Sequence, residues 1–95
     1  MPIPPQHLKQ LWQLLAVIED EKEAKMLMED LLTPQEVESI AERWQIIQQL
    51  EKGLPQREIA KKLNASIVKI TRGSRVMQYG SGGFRHFLKK LKRAL

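Results

Sequence analysis

Apolar residues recur along this chain at helical intervals. From about Gln6 to Asp20, Leu8, Leu11, Leu15 and Ile18 fall on one stripe, and Trp12 and Leu14 widen it. A helix apolar over so much of its circumference needs cover on more than one side, which a second subunit can supply. Glu19-Asp20-Glu21 interrupts the run, and Met26, Leu27, Met28, Leu31 and Leu32 predict a second, short helix. Thr33-Pro34-Gln35-Glu36 then starts a third. Thr33 suits the N-cap, Pro34 the first helical position, and Glu36 closes a capping box. Val37, Ile40, Trp44, Ile47 and Leu50 carry this helix on, and Gly53 ends it in a left-handed cap. No segment alternates with a period of two, so the fold class is all-α.

The segment from Gln56 to Met77 has the packing pattern of a helix-turn-helix. Its first helix is expected over Pro55 to Leu63, with Ile59 and Leu63 facing inward and small Ala60 where two steeply crossed helices touch. Asn64 tolerates positive φ and takes the turn. Ser66 caps a second helix, expected over Ile67 to Met77, whose Ile67 and Ile70 fill the space against Ile59 and Leu63. The residues between them, Gln56, Arg57, Ser66, Ile67, Val68, Lys69, Thr71 and Arg75, form the candidate DNA-binding set. In this motif the start of the second helix enters the major groove and the first helix crosses the backbone. Ile67 and Val68 are placed to touch thymine methyl groups, and Lys61, Lys62 and Arg75 to serve phosphates. An ordinary helical hairpin inside a bundle has the same spacing. Tyr79 to Gly83 reads as a loop, and Phe84, Phe87, Leu88 and Leu91 mark a last amphipathic helix with basic residues between them.

Charge favours the DNA reading. Met1 to Glu42 holds three Lys/Arg and nine Asp/Glu, a net of −6; Arg43 to Leu95 holds thirteen and two, a net of +11, together the formal +5 of the chain. A basic half that coincides with the motif is the footprint of a phosphate-backbone binder. Lys89, Lys90, Lys92 and Arg93 fit a solvated helix face.

Ninety-five residues allow a single domain. It is expected to divide into a flexible start (1–5), dimerisation and core helices (6–54), the helix-turn-helix (55–77) and a loop with the C-terminal helix (78–95). There is no cysteine, and His7 and His86 match no ligand spacing, so no metal is expected. No paired acid and base, nucleophile motif or phosphate-binding loop points to an enzyme. The longest apolar run, Leu14 to Ile18, is far short of a membrane span, and no secretory signal is visible, so a cytoplasmic location is expected.

The run from Leu31 to Ser74, LLTPQEVESIAERWQIIQQLEKG followed by QREIAKKLNASIVKITRGS, resembles the tryptophan operon repressor family. The TPxE helix start, the arginine in that helix, the QRE of the first motif helix and the ITRGS of the second all lie in register. The resemblance implies six helices per subunit and an intertwined homodimer bound to a palindromic double-stranded DNA operator. It also implies L-tryptophan as corepressor. By position, Arg43 and Arg72 would sandwich the indole, Arg72 and Thr33 would bind the carboxylate, and backbone carbonyls near Asp30 and Leu32 would receive the ammonium group. Gly73 lies where a flat ring can approach a helix backbone, though a tight helix contact asks for glycine equally. Arg43 suits stacking on an aromatic face, and also suits covering apolar surface.

This chain departs from the family pattern at three places. Val76 stands where the family has a serine that helps hold the ligand ammonium. The link from Gly53 to Gln56 is one residue shorter, with Pro55 for a serine cap. VMQYGSGGF is closer to a sister group of Trp-repressor-like regulators. Two other readings remain: a regulator of this type that ignores tryptophan, and a helical RNA-binding or interaction module. The few aromatics in the basic half argue against the stacking that RNA recognition uses.

Overall fold

In the computed structural model, residues 2–94 are described, and they form six α-helices. By internal contact the chain divides into two compact units that meet between Val37 and Glu38. The first holds α1 (Pro5–Ala16), α2 (Glu21–Leu31) and the start of α3 (Pro34–Glu51). The second holds the rest of α3 with α4 (Gln56–Leu63), α5 (Ile67–Tyr79) and α6 (Gly83–Ala94).

Local chemistry sets the boundaries. Pro5 opens α1, where its missing N–H costs nothing. The expected first helix reaches Asp20 in sequence, but α1 stops at Ala16 because Asp20 belongs to the next element. The Asp20 carboxylate accepts the Glu23 N–H at 2.8 Å and caps α2. Glu21 and Glu23 then sit in the first turn, where the helix dipole favours them. The Thr33–Glu36 box that starts α3 is reciprocal. Thr33 N–H donates to Glu36 Oε1 at 2.8 Å, and Glu36 N–H to Thr33 Oγ1 at 3.2 Å. These bonds, the one from the Thr33 backbone first, hold the Glu36 carboxyl below the usual glutamate range. At the other end of α3, Gly53 adopts φ +84°, and Leu54 N–H reaches back to the Gln49 carbonyl.

Within the second unit, Ile46, Ile59 and Ile70, from α3, α4 and α5, form one buried cluster with Leu50, Leu54, Ala60, Leu63 and Ala65 around it. Two sequence expectations change here. The stripe of α3 is wider than Val37-Ile40-Trp44-Ile47-Leu50: Ile46 and Gln49 are buried, whereas Ile40 is 47% exposed. The C-terminal half of α3 is packed on two sides, by Gly73 of α5 and by Lys62 of α4, so it buries an arc and not a line. Ile67 does not join the core; Ile70 alone meets Ile59 from α5, and Ile67 stays 46% exposed. Two residues beyond the expected end, α5 still continues, to Tyr79, which shortens the glycine loop to Gly80–Gly82. Arg85 Nε donates to the Met77 carbonyl at 3.2 Å and closes that loop. Trp44 and Phe84 rings meet at 6.2 Å between centroids.

Candidate functional site

The turn between α4 and α5 is built by two residues. Asn64 sits in the left-handed region at φ 52°, ψ 45°, and the Ala65 N–H returns to the Ala60 carbonyl at 3.0 Å. Ser66 then caps α5, its hydroxyl accepting the Lys69 N–H at 3.3 Å. This geometry, with Ile59 and Ile70 fully buried between the two helices, leaves the first turn of α5 facing outward.

All eight candidate DNA-binding residues lie on α4 and α5 or on the cap between them. Arg57, Ser66, Val68, Lys69, Thr71 and Arg75 are exposed, as is Ile67, while Gln56 is half-buried. Several polar members are already engaged. Thr71 Oγ1 donates to Gln56 Oε1 at 3.0 Å, tying the start of α4 to α5. Lys69 Nζ makes a 2.8 Å ion pair with Glu42 of α3. Neither link is legible in sequence, since each joins residues on different helices. The buried Gln49 accepts a hydrogen bond from Lys62 Nζ at 3.2 Å, which anchors α4 on α3. Lys62, expected on phosphate, thus also ties α4 to α3.

Three of the six candidate ligand-binding residues, Arg43, Arg72 and Gly73, line one small cavity of about 30 Å³ in the second unit. Ile46 and Ile47 complete its floor with Gly73, Lys69 adds a third cation, and Val76 and Phe84 close its edge. Phe84, on the apolar stripe of the last helix, and Lys69, a candidate DNA contact, thus both reach this cavity. A Cβ on Gly73 would stand 3.2 Å from Ile46 Cγ2 and 3.4 Å from Ile47 Cδ1, so the missing side chain serves both a close α3–α5 crossing and the cavity floor. The remaining three stand in the first unit. Asp30 is in the last turn of α2, Leu32 is its C-cap, and Thr33 is the cap of α3.

Lys69 is paired with Glu42, so two guanidinium groups beside an apolar floor remain, and they suit a flat ring that carries a carboxylate: guanidinium planes stack on rings and bind carboxylates through paired hydrogen bonds. A zwitterion fits less well, because Val76 offers no acceptor for an ammonium group.

Such an arrangement, a capped and outward-facing helix on a basic helical scaffold, defines a helix-turn-helix protein of the DNA-binding class. Comparison narrows the class. The Trp repressor protein family model matches residues 6–92. The chain is 37% identical over 79 residues to a Trp operon repressor homolog of Haemophilus influenzae, covering 82% of this chain and 78% of the relative. It is 36% identical over 84 residues to one of Chlamydia trachomatis, covering 83% and 89%. A Trp operon repressor homolog of Mannheimia succiniciproducens is 48% identical over 61 residues, 63% of this chain and 60% of that protein's length. The fold is similar to the crystal structure of a TrpR like protein from Eubacterium eligens, at 30% identity and TM-score 0.86, covering 92% of this chain and 90% of that one. It also matches a crystal structure from Staphylococcus aureus, at 24% identity and TM-score 0.87, over 94% and 89% of the two chains, a likeness of fold. The chain belongs to the Trp repressor family of DNA-binding transcription regulators. Among the described residues, no helix is long and apolar enough to cross a membrane.

Proposed function

We propose that the protein is a cytoplasmic, sequence-specific transcriptional repressor that occupies a palindromic operator as a homodimer and takes L-tryptophan as corepressor. The observation that carries the DNA reading is the outward-facing first turn of α5, fixed by Asn64 and Ser66 and set among exposed basic residues. Two copies of α5 enter successive major grooves about 34 Å apart, one turn of B-form DNA. Arg57, Lys61 and Arg75 hold phosphates and fix the register. The ligand reading is supported by the cavity beneath α5, where Arg43 and Arg72 flank the Gly73 floor. An indole laid on that floor props α5 against α3, and Arg72 receives the carboxylate. The ligand raises DNA affinity by its preference for the operator-competent setting of α5.

A second reading, a repressor of the same kind that ignores tryptophan, is favoured by Val76 and Phe84 at the cavity edge and by a cavity volume of about 30 Å³, far under the roughly 300–1,000 Å³ usual for ligand pockets. Band shifts on a selected operator, with and without L-tryptophan, decide between the two. Tighter binding with the amino acid supports the corepressor. Equal affinity, with no heat on titrating L-tryptophan into the protein, removes it and leaves DNA binding standing.

A further inference from the structure

The helix turn that faces DNA offers its groove an apolar edge. Ser66 spends its hydroxyl acceptor on the Lys69 N–H. Lys69 turns its ammonium away to Glu42 at 2.8 Å. Thr71 directs its hydroxyl proton onto Gln56 Oε1 at 3.0 Å. Ile67 and Val68, by contrast, are 46% and 73% exposed at the very start of the helix. Both are β-branched and hold essentially one rotamer in a helix, so their methyl groups are presented rigidly and lose little entropy on contact. They open an apolar depression along α5 that runs past Thr71 to Val76 and is edged by Arg72 and Arg75. An apolar strip bordered by guanidinium groups fits a surface whose apolar centre is bordered by phosphates. In the major groove that centre is the C5-methyl group of thymine, the one apolar feature a base pair shows there.

We infer that the first turn of α5 reads thymine methyl groups through Ile67 and Val68, so that sequence choice at those positions rests on van der Waals contact and not on hydrogen bonds. This inference rests on the DNA-binding reading and adds the chemistry of the bases read. The arginines and the +11 half-chain supply position and affinity; the two aliphatic side chains supply the choice. The same device selects DNA over RNA. RNA carries uracil, which lacks the methyl group, and its major groove is too narrow for a helix to enter.

The test starts with selection of the full-length protein on a random duplex library. Thymines of the enriched half-site are then replaced one at a time by deoxyuridine, which removes the methyl group and leaves pairing intact. At one or two positions per half-site, uracil is expected to weaken binding about fourfold, the worth of one buried methyl. Val68→Ala and Val68→Thr, at a side chain too exposed to matter for folding, are expected to erase the thymine–uracil difference at one of them while the dimer state in sedimentation stays that of the wild type. Half-sites without thymine, or duplexes in which every thymine tolerates uracil, overturn methyl reading while DNA binding survives. A protein that binds no duplex at low salt overturns both. A Val68 variant that dissociates the subunits would assign the strip to a second copy of the chain and overturn the inference too.

Discussion

At the scale of single residues, two positions carry the geometry of the DNA-reading unit through the backbone. Asn64 is the one non-glycine residue at positive φ among the described residues, and the α4–α5 turn depends on it. Alanine there meets the left-handed penalty of roughly 1–2 kcal/mol, which asparagine offsets locally and glycine never meets. Asn64→Ala is therefore expected to lower the urea midpoint with an unchanged slope, and Asn64→Gly to leave it level or raised. Gly73 is the opposite case, a glycine at ordinary helical angles. Alanine in its place gains about 1 kcal/mol of helix propensity. Its Cβ also presses the Ile46 methyl from 3.2 Å, in a side chain only 1% exposed. The two effects nearly cancel, so Gly73→Ala should move stability by less than about 1 kcal/mol. Gly73→Val overfills the crossing and should cost about 1–3 kcal/mol, read from the same melts. Either change raises the cavity floor. If L-tryptophan binds there, calorimetry should show its affinity falling in Gly73→Ala before stability does.

At the scale of elements, what was legible in the sequence is what short-range chemistry determines. The cap at Thr33, the left-handed stop at Gly53, the turn at Asn64 and the cap at Ser66 each depend on a few adjacent residues, and each appears where the pattern put it. The Asp20 cap depends on equally local chemistry but was hidden by an apolar run that continues to Ile18, beyond the end of α1. What the pattern could not give was set by partners distant in sequence. The widened arc of α3 reflects two neighbouring helices. The exposure of Ile67 reflects packing in which Ile70, and not Ile67, joins Ile59 in the buried cluster. The pairs Lys69–Glu42, Thr71–Gln56 and Lys62–Gln49 join residues 27, 15 and 13 positions apart. Two measurements separate these levels. Ile70→Ala removes a fully buried side chain from the three-helix cluster and should cost about 2–5 kcal/mol. Glu36 tests the local level through pH. Its folded-state pKa is lowered, so its contribution is complete above the unfolded value of about 4.3 and is lost as pH falls through the folded one. The gap in melting temperature between wild type and Glu36→Ala should be constant from neutral pH down to that range and close below it.

At the scale of the whole molecule, charge and symmetry meet in one quantity, the salt dependence of DNA binding. The acidic first part and the basic second part of the chain differ by 17 charges, and the basic part carries the helix-turn-helix. Not every cation there is free to meet phosphate. Lys69 is held by Glu42, Lys92 lies 3.5 Å from Glu51, and Lys62 is hydrogen-bonded to the buried Gln49. Arg57 and Arg75 are exposed on α4 and α5 and enter none of the side-chain hydrogen bonds or ion pairs among the described residues. Each phosphate neutralised lowers the slope of log K against log salt by about 0.9. Replacing one arginine by glutamine in every subunit removes one such contact from a bound monomer and two from a bound dimer. For the proposed homodimer, Arg75→Gln should therefore flatten the slope by about 1.8 and leave the preferred sequence unchanged; a change of about 0.9 would mean that a single subunit engages the duplex. If Arg57→Gln altered the preferred sequence instead of the slope, Arg57 would be reading a base, and the start of α4 would share in recognition. The slope thus counts subunits on DNA and sorts phosphate anchors from base readers in one titration series.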